Sequence, residues 1–373
     1  MKFSCSQQTL TKSLNIVSKA VTSRTTIPIL KGILLKVNEK GTLTMSASDL
    51  DLAIEKSFEV NNFETGEIVV QAKLFGDIIR KLPNDIITVE VEEGNVIIKC
   101  SNSEFNIVGW PSDEFPKLNS QEEYESKILF EKEILKDMIR KTSFAASIDE
   151  SRGVITGILM EIKKNSLNMV SLDGFRMAIS RQSIKNEREE NVIIPAKTLN
   201  EVAKIISETE GEEGKETVDL YISQKRAIFI IEDTKVLLRL LDGEFVKYED
   251  ILPKESQTKV VLNKNDFLDS IERASLLAKI GKNNLIKLNI TNNNIEITSK
   301  SEEGKVKEDV IVSKEGNDLI IGFNSKYLID ALKVIDDEEI KLLFNTSVSP
   351  CLIKPLEENK YEYLVLPVRI TNN

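Results

Sequence analysis

An α+β fold of three tandem copies of one domain, each with two helices packed on antiparallel sheets, is what this 373-residue chain predicts. Three observations carry the prediction. Strand-turn-lysine-helix segments recur at a nearly constant offset, and helical apolar stripes recur at nearly the same offset. The stretches between them alternate apolar and polar residues, as half-buried antiparallel strands do. The size agrees, since roughly 150 residues per domain allows two to three domains. At 41% hydrophobic and 29% charged residues, the composition is that of ordinary globular domains.

The first repeated segment is Val70-Gln-Ala-Lys73, then Ile194-Pro-Ala-Lys197, then Phe323-Asn-Ser-Lys326. Each places an apolar strand end and a short turn before a run with helical spacing. The three lysines are 124 and 129 residues apart. The stripes Leu10, Leu14, Val17, then Leu135, Ile139, Thr142, then Phe267, Ile271, Ala274 begin 125 and 132 residues apart. A third echo sets Ser48-Asp49-Leu50-Asp51 against Leu172-Asp173-Gly174-Phe175, with the aspartates 124 apart. Strands are expected at Gly41–Ala47, Ile87–Glu92, Asn95–Cys100, Ser166–Ser171 and Asn294–Ser299, about eight to a copy. Glu93-Gly94-Asn95 and Asn292–Asn294 supply hairpin turns. Polar stretches at Ser120–Ser126 and Lys254–Thr258 set expected domains of 1–126, 127–256 and 257–373. Glu208–Glu216 is expected to be an exposed acidic loop in the second copy.

Composition excludes much chemistry. The chain has no histidine, which removes Ser-His-Asp and Cys-His catalysis and HExxH zinc sites. Cys5, Cys100 and Cys351 are far apart, so neither a metal site nor a disulfide framework is expected, and isolated thiols fit a reducing cytoplasm. No segment has the length of a membrane span, and the opening residues lack the apolar core of a signal peptide. Asp49 and Asp51, and Asp336-Asp337-Glu338-Glu339, read as turn caps and solvated acids instead of an acid/base pair. Phosphate-loop, dinucleotide, nucleophile-elbow and EF-hand motifs are absent. No active site, cofactor or metal is expected.

Charge is unevenly sorted. Segments 7–24, 73–82, 263–283 and 326–335 carry +3, +2, +1 and +1, while 131–152 and 197–208 balance to zero. The helical segments therefore sum to +7 in a chain of −10. Solvated lysines on helix surfaces account for this, and so does sequence-independent contact with phosphates. Two further segments are unlike ordinary core. Leu172-Asp-Gly-Phe-Arg-Met177 sets a phenylalanine, an arginine and a methionine beside a turn glycine, in a loop that cannot bury them all. The chain ends on an apolar run, Tyr361–Ile370, read as a strand with Pro367 inside it, hence an edge or a bulge. It either completes the last sheet or borders an apolar groove for a peptide.

Met1-Lys-Phe3, Arg24-Thr-Thr-Ile-Pro-Ile-Leu30, Thr44-Met-Ser-Ala-Ser-Asp-Leu50, Asp113-Glu-Phe-Pro116, Asp173-Gly-Phe-Arg176 and Leu366-Pro-Val-Arg369 occur in an order that resembles the bacterial DNA polymerase III beta subunit, the beta sliding clamp family. The resemblance covers essentially the whole chain. It implies the ring-forming DNA-clamp (processivity) fold: a head-to-tail homodimer around duplex DNA that acts in DNA replication without catalysis. Phe105 and Ile107 would meet Leu276 and Leu277 of the partner subunit. Carried over by position, Arg24, Lys73, Arg80, Arg152 and Lys197 face DNA. Asp149 stands where the family often has an amide, and an acid there opposes phosphate.

The resemblance also implies a pocket for short linear motifs of the polymerase III catalytic subunit, the clamp loader, other polymerases and repair proteins. One side is Ile155, Thr156, Gly157, Leu172, Gly174, Phe175, Arg176 and Met177, with Val246 and Ile251. The other is Tyr327, Val348, Leu364, Leu366, Pro367, Val368 and Arg369, with Tyr327 and Arg369 offering polar contacts. Val246 replaces a proline of the family pattern, Phe175 stands where some members have histidine, and Asp250 where some have arginine. The competing reading is a three-domain protein-binding scaffold that never encircles DNA. A carboxylate-dependent hydrolase would need paired acids that the repeat gives no sign of.

Overall fold

The structure is a computed structural model that describes residues 1–22, 25–116, 126–184, 186, 189–209, 216–281 and 283–370. Helices fall where the apolar stripes put them: α1 (Gln7–Val17), α2 (Ala72–Lys81), α3 (Lys132–Ser143), α4 (Ala196–Glu208), α5 (Lys264–Ala278) and α6 (Ser325–Leu332). Each third of the chain holds two of them. The third, fifth and sixth stop earlier than the segments 131–152, 263–283 and 326–335 suggest. Leu10, Leu14, Leu135, Ile139, Phe267 and Ile271 are fully buried. Side-chain caps set several starts: Ser6 Oγ accepts from Thr9 N, Gln71 Oε1 from Leu74 N, and Asn324 Oδ1 from Lys326 N. Each such cap stabilises its helix by about 1 kcal/mol.

All paired strands are antiparallel among the described residues. The chain divides into two compact units, Met1–Lys132 with Glu201–Leu240, and Glu133–Asn200 with Leu241–Asn373. The first holds a five-stranded sheet and an eight-stranded sheet, the second a nine-stranded and a four-stranded sheet. In the first unit, Thr234–Arg239 pairs with Leu52–Glu59, so strands from the first and second thirds share one sheet. In the second unit, Tyr361–Val365 pairs with Arg176–Ser183 in the same way. The Glu232–Asp233 turn of the first unit binds two buried lysines, Glu232 holding Lys132 and Asp233 holding Lys56.

A device that the sequence reading did not find repeats three times. After the last strand of each third, the chain returns to bridge the strand before the second helix. Trp110 N donates to Val69 O at 2.8 Å, Leu241 N to Ile193 O at 2.9 Å, and Val368 N to Gly322 O at 2.8 Å. The accepting residues are spaced by 124 and 129, as the lysines are.

The C-terminal run corrects the sequence expectation. Its strand is Tyr361–Val365 and lies between Arg176–Ser183 and Cys351–Pro355, so it is central and not an edge. Proline cannot donate to a ladder, and Pro367 lies beyond the strand's end. From Leu366 the chain leaves the sheet. Of the acidic run 208–216, residues 210–215 lie outside the described residues, while Glu208 pairs with Lys19 at 2.8 Å. Thr371–Asn373 also lie outside them.

Candidate peptide groove and cationic surface

The second unit carries an apolar cluster whose upper side chains stay open to solvent. Its floor is Leu159, Val170, Leu172, Met177, Ile179, Ile193, Tyr248, Leu352 and Leu364, all buried. Val154, Ile155, Leu241, Phe245, Leu252 and Leu343 pack against it, half-buried. In the same unit Phe175, Val246, Ile251, Val348 and Leu366 are exposed apolar side chains, and Val246 and Ile251 adjoin in sequence Phe245 and Leu252, which pack on the cluster. A docking site for apolar side chains requires exposed apolar groups beside a packed cluster, and these residues are the candidates for one. Of the residues carried over by resemblance, Leu172, Met177 and Leu364 are buried in this cluster, and Phe175, Val246, Ile251, Val348 and Leu366 are exposed.

The turn between Ser166–Leu172 and Arg176–Ser183 builds one wall. Asp173 Oδ1 accepts from the N–H groups of Phe175 (2.9 Å) and Arg176 (3.1 Å). Gly174 takes φ +90°, which only glycine adopts freely. The Arg176 side chain turns inward, leaving the residue 9% exposed. Its Nε donates to Asp173 Oδ2 at 3.0 Å and its Nη1 to Asp330 Oδ2 at 2.6 Å. The guanidinium carbon lies 4.8 Å from the Tyr327 ring centre and 5.4 Å from that of Phe144. Phe175, 54% exposed, stacks on Tyr327 at 5.9 Å between centroids. Burial pushes the Asp330 carboxyl up, but hydrogen bonds from Lys326 and Arg176 outweigh it and hold the group below the usual carboxylate range. The Tyr327 ring thus meets both the Phe175 ring and the Arg176 guanidinium, and Arg176 acts as a wedge against the Tyr327 and Phe144 rings.

The other wall is the tail. Leu366 N donates to Phe175 O at 2.9 Å, and Val368 N donates to Gly322 O. These two bonds fix the course of the tail from Leu366 to Val368, with Pro367 between them lacking an N–H that would need a partner. A Cβ on Gly322 would lie 2.9 Å from Val368 O and 2.9 Å from Ile370 Cγ1. Gly322→Ala is therefore expected to unseat the tail and weaken motif-peptide binding several-fold. Peptide titration checks this, and an unchanged affinity would show that the tail does not shape the groove. Gly157 is equally constrained, with Ile193 Cγ2 and Leu241 Cδ1 both 2.7 Å from its virtual Cβ.

The cationic residues are distributed differently. Lys73 on α2 and Lys197 on α4 are exposed. Arg80 is shared with Asp77 at 2.8 Å. Arg152 Nη1 donates to Asp173 O at 2.6 Å, which ties it to the groove's turn, a role that the sequence reading did not assign. Arg24 lies outside the described residues. Asp149 is occupied within its own loop. Its Oδ1 accepts from Ser151 Oγ (2.7 Å) and Ser151 N (3.1 Å), bonds that hold the carboxyl below its ordinary range. Asp336 of the acidic turn pairs with Arg140 and Lys141, Asp337 accepts from Tyr361 Oη, and both residues are exposed to solvent. No helix among the described residues is long and apolar enough to cross a membrane.

Repeated α+β domains that share sheets, with an apolar cluster joining strands of the second and third repeats, define a three-domain protein of the DNA-clamp fold. Residues 1–119, 130–247 and 249–369 match the N-terminal, central and C-terminal domains of the DNA polymerase III beta subunit. The beta sliding clamp of Bacillus subtilis (strain 168) is 37% identical over 99% of this chain and 100% of its own length. The crystal structure of the Bacillus subtilis DNA polymerase sliding clamp superposes with a TM-score of 0.93 at 35% identity, covering 100% of both chains. A putative DNA polymerase III beta subunit from Eubacterium rectale gives 0.92 at 38% identity, over 99% of this chain and 100% of that one. The chain belongs to the DNA polymerase III beta subunit family, the beta sliding clamps.

Proposed function

We propose that this chain closes as a head-to-tail homodimer around duplex DNA, slides without reading sequence, and tethers replication and repair proteins through the groove. The observation that carries the reading is the match to all three clamp domains along one chain. The groove residues support the second part: short linear motifs from the polymerase III catalytic subunit, the clamp loader, other polymerases and repair proteins would bury apolar side chains on Leu172, Met177 and Leu364. The domains would run 1–126, 127–256 and 257–373, and the protein would work on the chromosome in the cytoplasm without catalysis of its own.

Closure has a structural rationale. The five-stranded sheet ends on Ser103–Val108, which exposes Phe105, and the four-stranded sheet ends on Gly304–Ile311. Unpaired edges invite another strand. Five strands joined to a partner's four would give nine, the size of the intact sheet in the second unit. Leu276 on α5, 65% exposed, with half-buried Leu277 beside it, would meet Phe105 and Ile107 across this joint. A heterologous contact of this kind makes a ring when its rotation closes. Lys73, Arg80, Arg152, Lys197 and Arg24 would supply weak phosphate contacts, since tight ones would halt sliding.

The test is retention on nicked circular DNA after loader-assisted assembly, before and after the DNA is linearised. Retention on circles and loss from linear ends is expected. Equal retention on both forms would mean ordinary surface binding, and none on either would mean a scaffold that does not encircle DNA.

A further inference from the structure

We propose that Tyr248 is a positioning residue of the docking site: through its bond to Glu161 it sets where Val246 and Ile251 stand, without itself touching the motif. The inference rests on the groove reading above, and every residue it uses lies within the second unit. Val246 and Ile251, 42% and 41% exposed, belong to the stretch 241–252, which forms no strand and only one 3-10 turn, Tyr248–Asp250. Among the described residues its backbone meets the sheet once, where Leu241 N donates to Ile193 O. Its other backbone bonds are internal: Asp250 N donates to Lys247 O at 3.2 Å and Ile251 N to Tyr248 O at 3.1 Å. Ile251 is thus tied directly to Tyr248, and Val246 lies two residues before it.

Tyr248 is buried in the cluster with Leu159, Val170 and Leu172. Apolar packing is non-directional, and a phenylalanine would fill the same space. The hydroxyl adds direction. Tyr248 Oη donates to Glu161 Oε2 at 3.1 Å and accepts from Asn168 Nδ2 at 3.4 Å, the only side-chain hydrogen bonds that tie this stretch to the sheet among the described residues. Glu161 and Asn168 face each other on Gly157–Ile162 and Ser166–Leu172, and Asn168 Nδ2 also donates to Glu161 Oε2 at 2.6 Å. Lys163 pairs with Glu161 at 3.2 Å. Burial pushes the Glu161 carboxyl up, but the bonds from Asn168, Lys163 and Tyr248 outweigh it and hold the group below its ordinary range. Burial and the charge of Glu161 push the Tyr248 phenol up, so the donor keeps its proton. A hydrogen bond to a carboxylate is roughly twice as strong as a neutral one. Without it the ring can shift in the cluster, and the stretch that carries Val246 and Ile251 shifts with it. Only the fraction of molecules with both side chains in place then binds well, and the apparent affinity falls by that fraction.

The test uses full-length Tyr248→Phe, which keeps the ring and removes only the hydroxyl. The probe is a short linear-motif peptide of the cognate polymerase III catalytic subunit, titrated well below the melting temperature. Affinity is expected to fall roughly tenfold, the lower end of what a hydrogen bond to a charged group is worth. Repeating the substitution in an Ile251→Ala chain separates positioning from a role in the fold. With that side chain gone, Tyr248→Phe should weaken binding by only about threefold or less, because the two changes act through one contact. A full tenfold loss in that background would overturn the proposal, since the hydroxyl would then act independently of Ile251. Wild-type affinity in Tyr248→Phe alone, with the wild-type chain binding the peptide, would overturn this inference and leave the groove reading standing. A wild-type chain that does not bind the peptide overturns the groove reading and this inference with it.

Discussion

Replacing Arg176 with alanine is expected to lower the affinity of a groove-motif peptide by roughly 100-fold, the range of an interface hot spot. The side chain does three things at once. It closes the 173–176 turn through Asp173, ties that turn to α6 through Asp330, and fills the space between the Phe144 and Tyr327 rings. Alanine would leave Asp173 without its cation and Asp330 with Lys326 alone, and would free Tyr327, on which Phe175 stacks. Losing one partner of a buried charge cluster costs about 3–5 kcal/mol, so the melting temperature should fall as well. Arg176→Lys should restore little, since a point charge cannot reach both carboxylates or stack between rings. The double variant Arg176→Met with Asp330→Leu separates the effects, recovering stability without binding. Near wild-type peptide affinity in Arg176→Ala would mean that the groove does not depend on this wedge.

This wedge also shows how far the sequence could be read. The turn at Asp173 was legible because its pieces are local: an aspartate followed by a turn glycine, and the echo at Asp49; the structure adds the bonds from Phe175 N and Arg176 N to Asp173 Oδ1. The threefold repeat was legible because helical stripes and strand alternation follow from burial on one face. The inward turn of Arg176 was not, because Asp330 lies 154 residues away and nothing near Arg176 in the chain signals it. The end of the last strand at Val365 was likewise hidden. An apolar run looks the same whether its backbone pairs with a neighbouring strand or with single carbonyls at Phe175 and Gly322. The exit bridges at Val69, Ile193 and Gly322 could have been sought at the 124- and 129-residue offsets, but no residue type marks them. The departures at Val246, Phe175 and Asp250 were readable as letters. Only the structure shows that Phe175 is an exposed ring lying on Tyr327.

Glu362→Gln is expected to cost about 3–5 kcal/mol of stability at neutral pH, the usual result of stripping the anion from a buried cluster. Glu362 is 5% exposed and lies in Tyr361–Val365, in the middle of the nine-stranded sheet. It accepts from Arg181 Nη2 at 2.5 Å and from Lys354 Nζ. Arg181 Nη1 is buried with no partner among the described residues, so nothing in place can take over the lost charge. An amide would leave two cations side by side. Burial pushes the Glu362 carboxyl up, but the bonds from Lys354 and Arg181 more than offset this and hold it below the ordinary range. A carboxyl lowered by folding stabilises fully above its unfolded value of about 4.3 and loses that contribution as pH falls through the folded value. The gap between wild type and variant in urea denaturation should therefore be widest near pH 7 and close as pH drops below about 4. A gap that stayed constant with pH would trace the loss to packing instead of charge. If the two midpoints coincided at pH 7, the cluster would be dispensable, and the strand that carries Leu364 to the groove floor would be held by its backbone ladder alone.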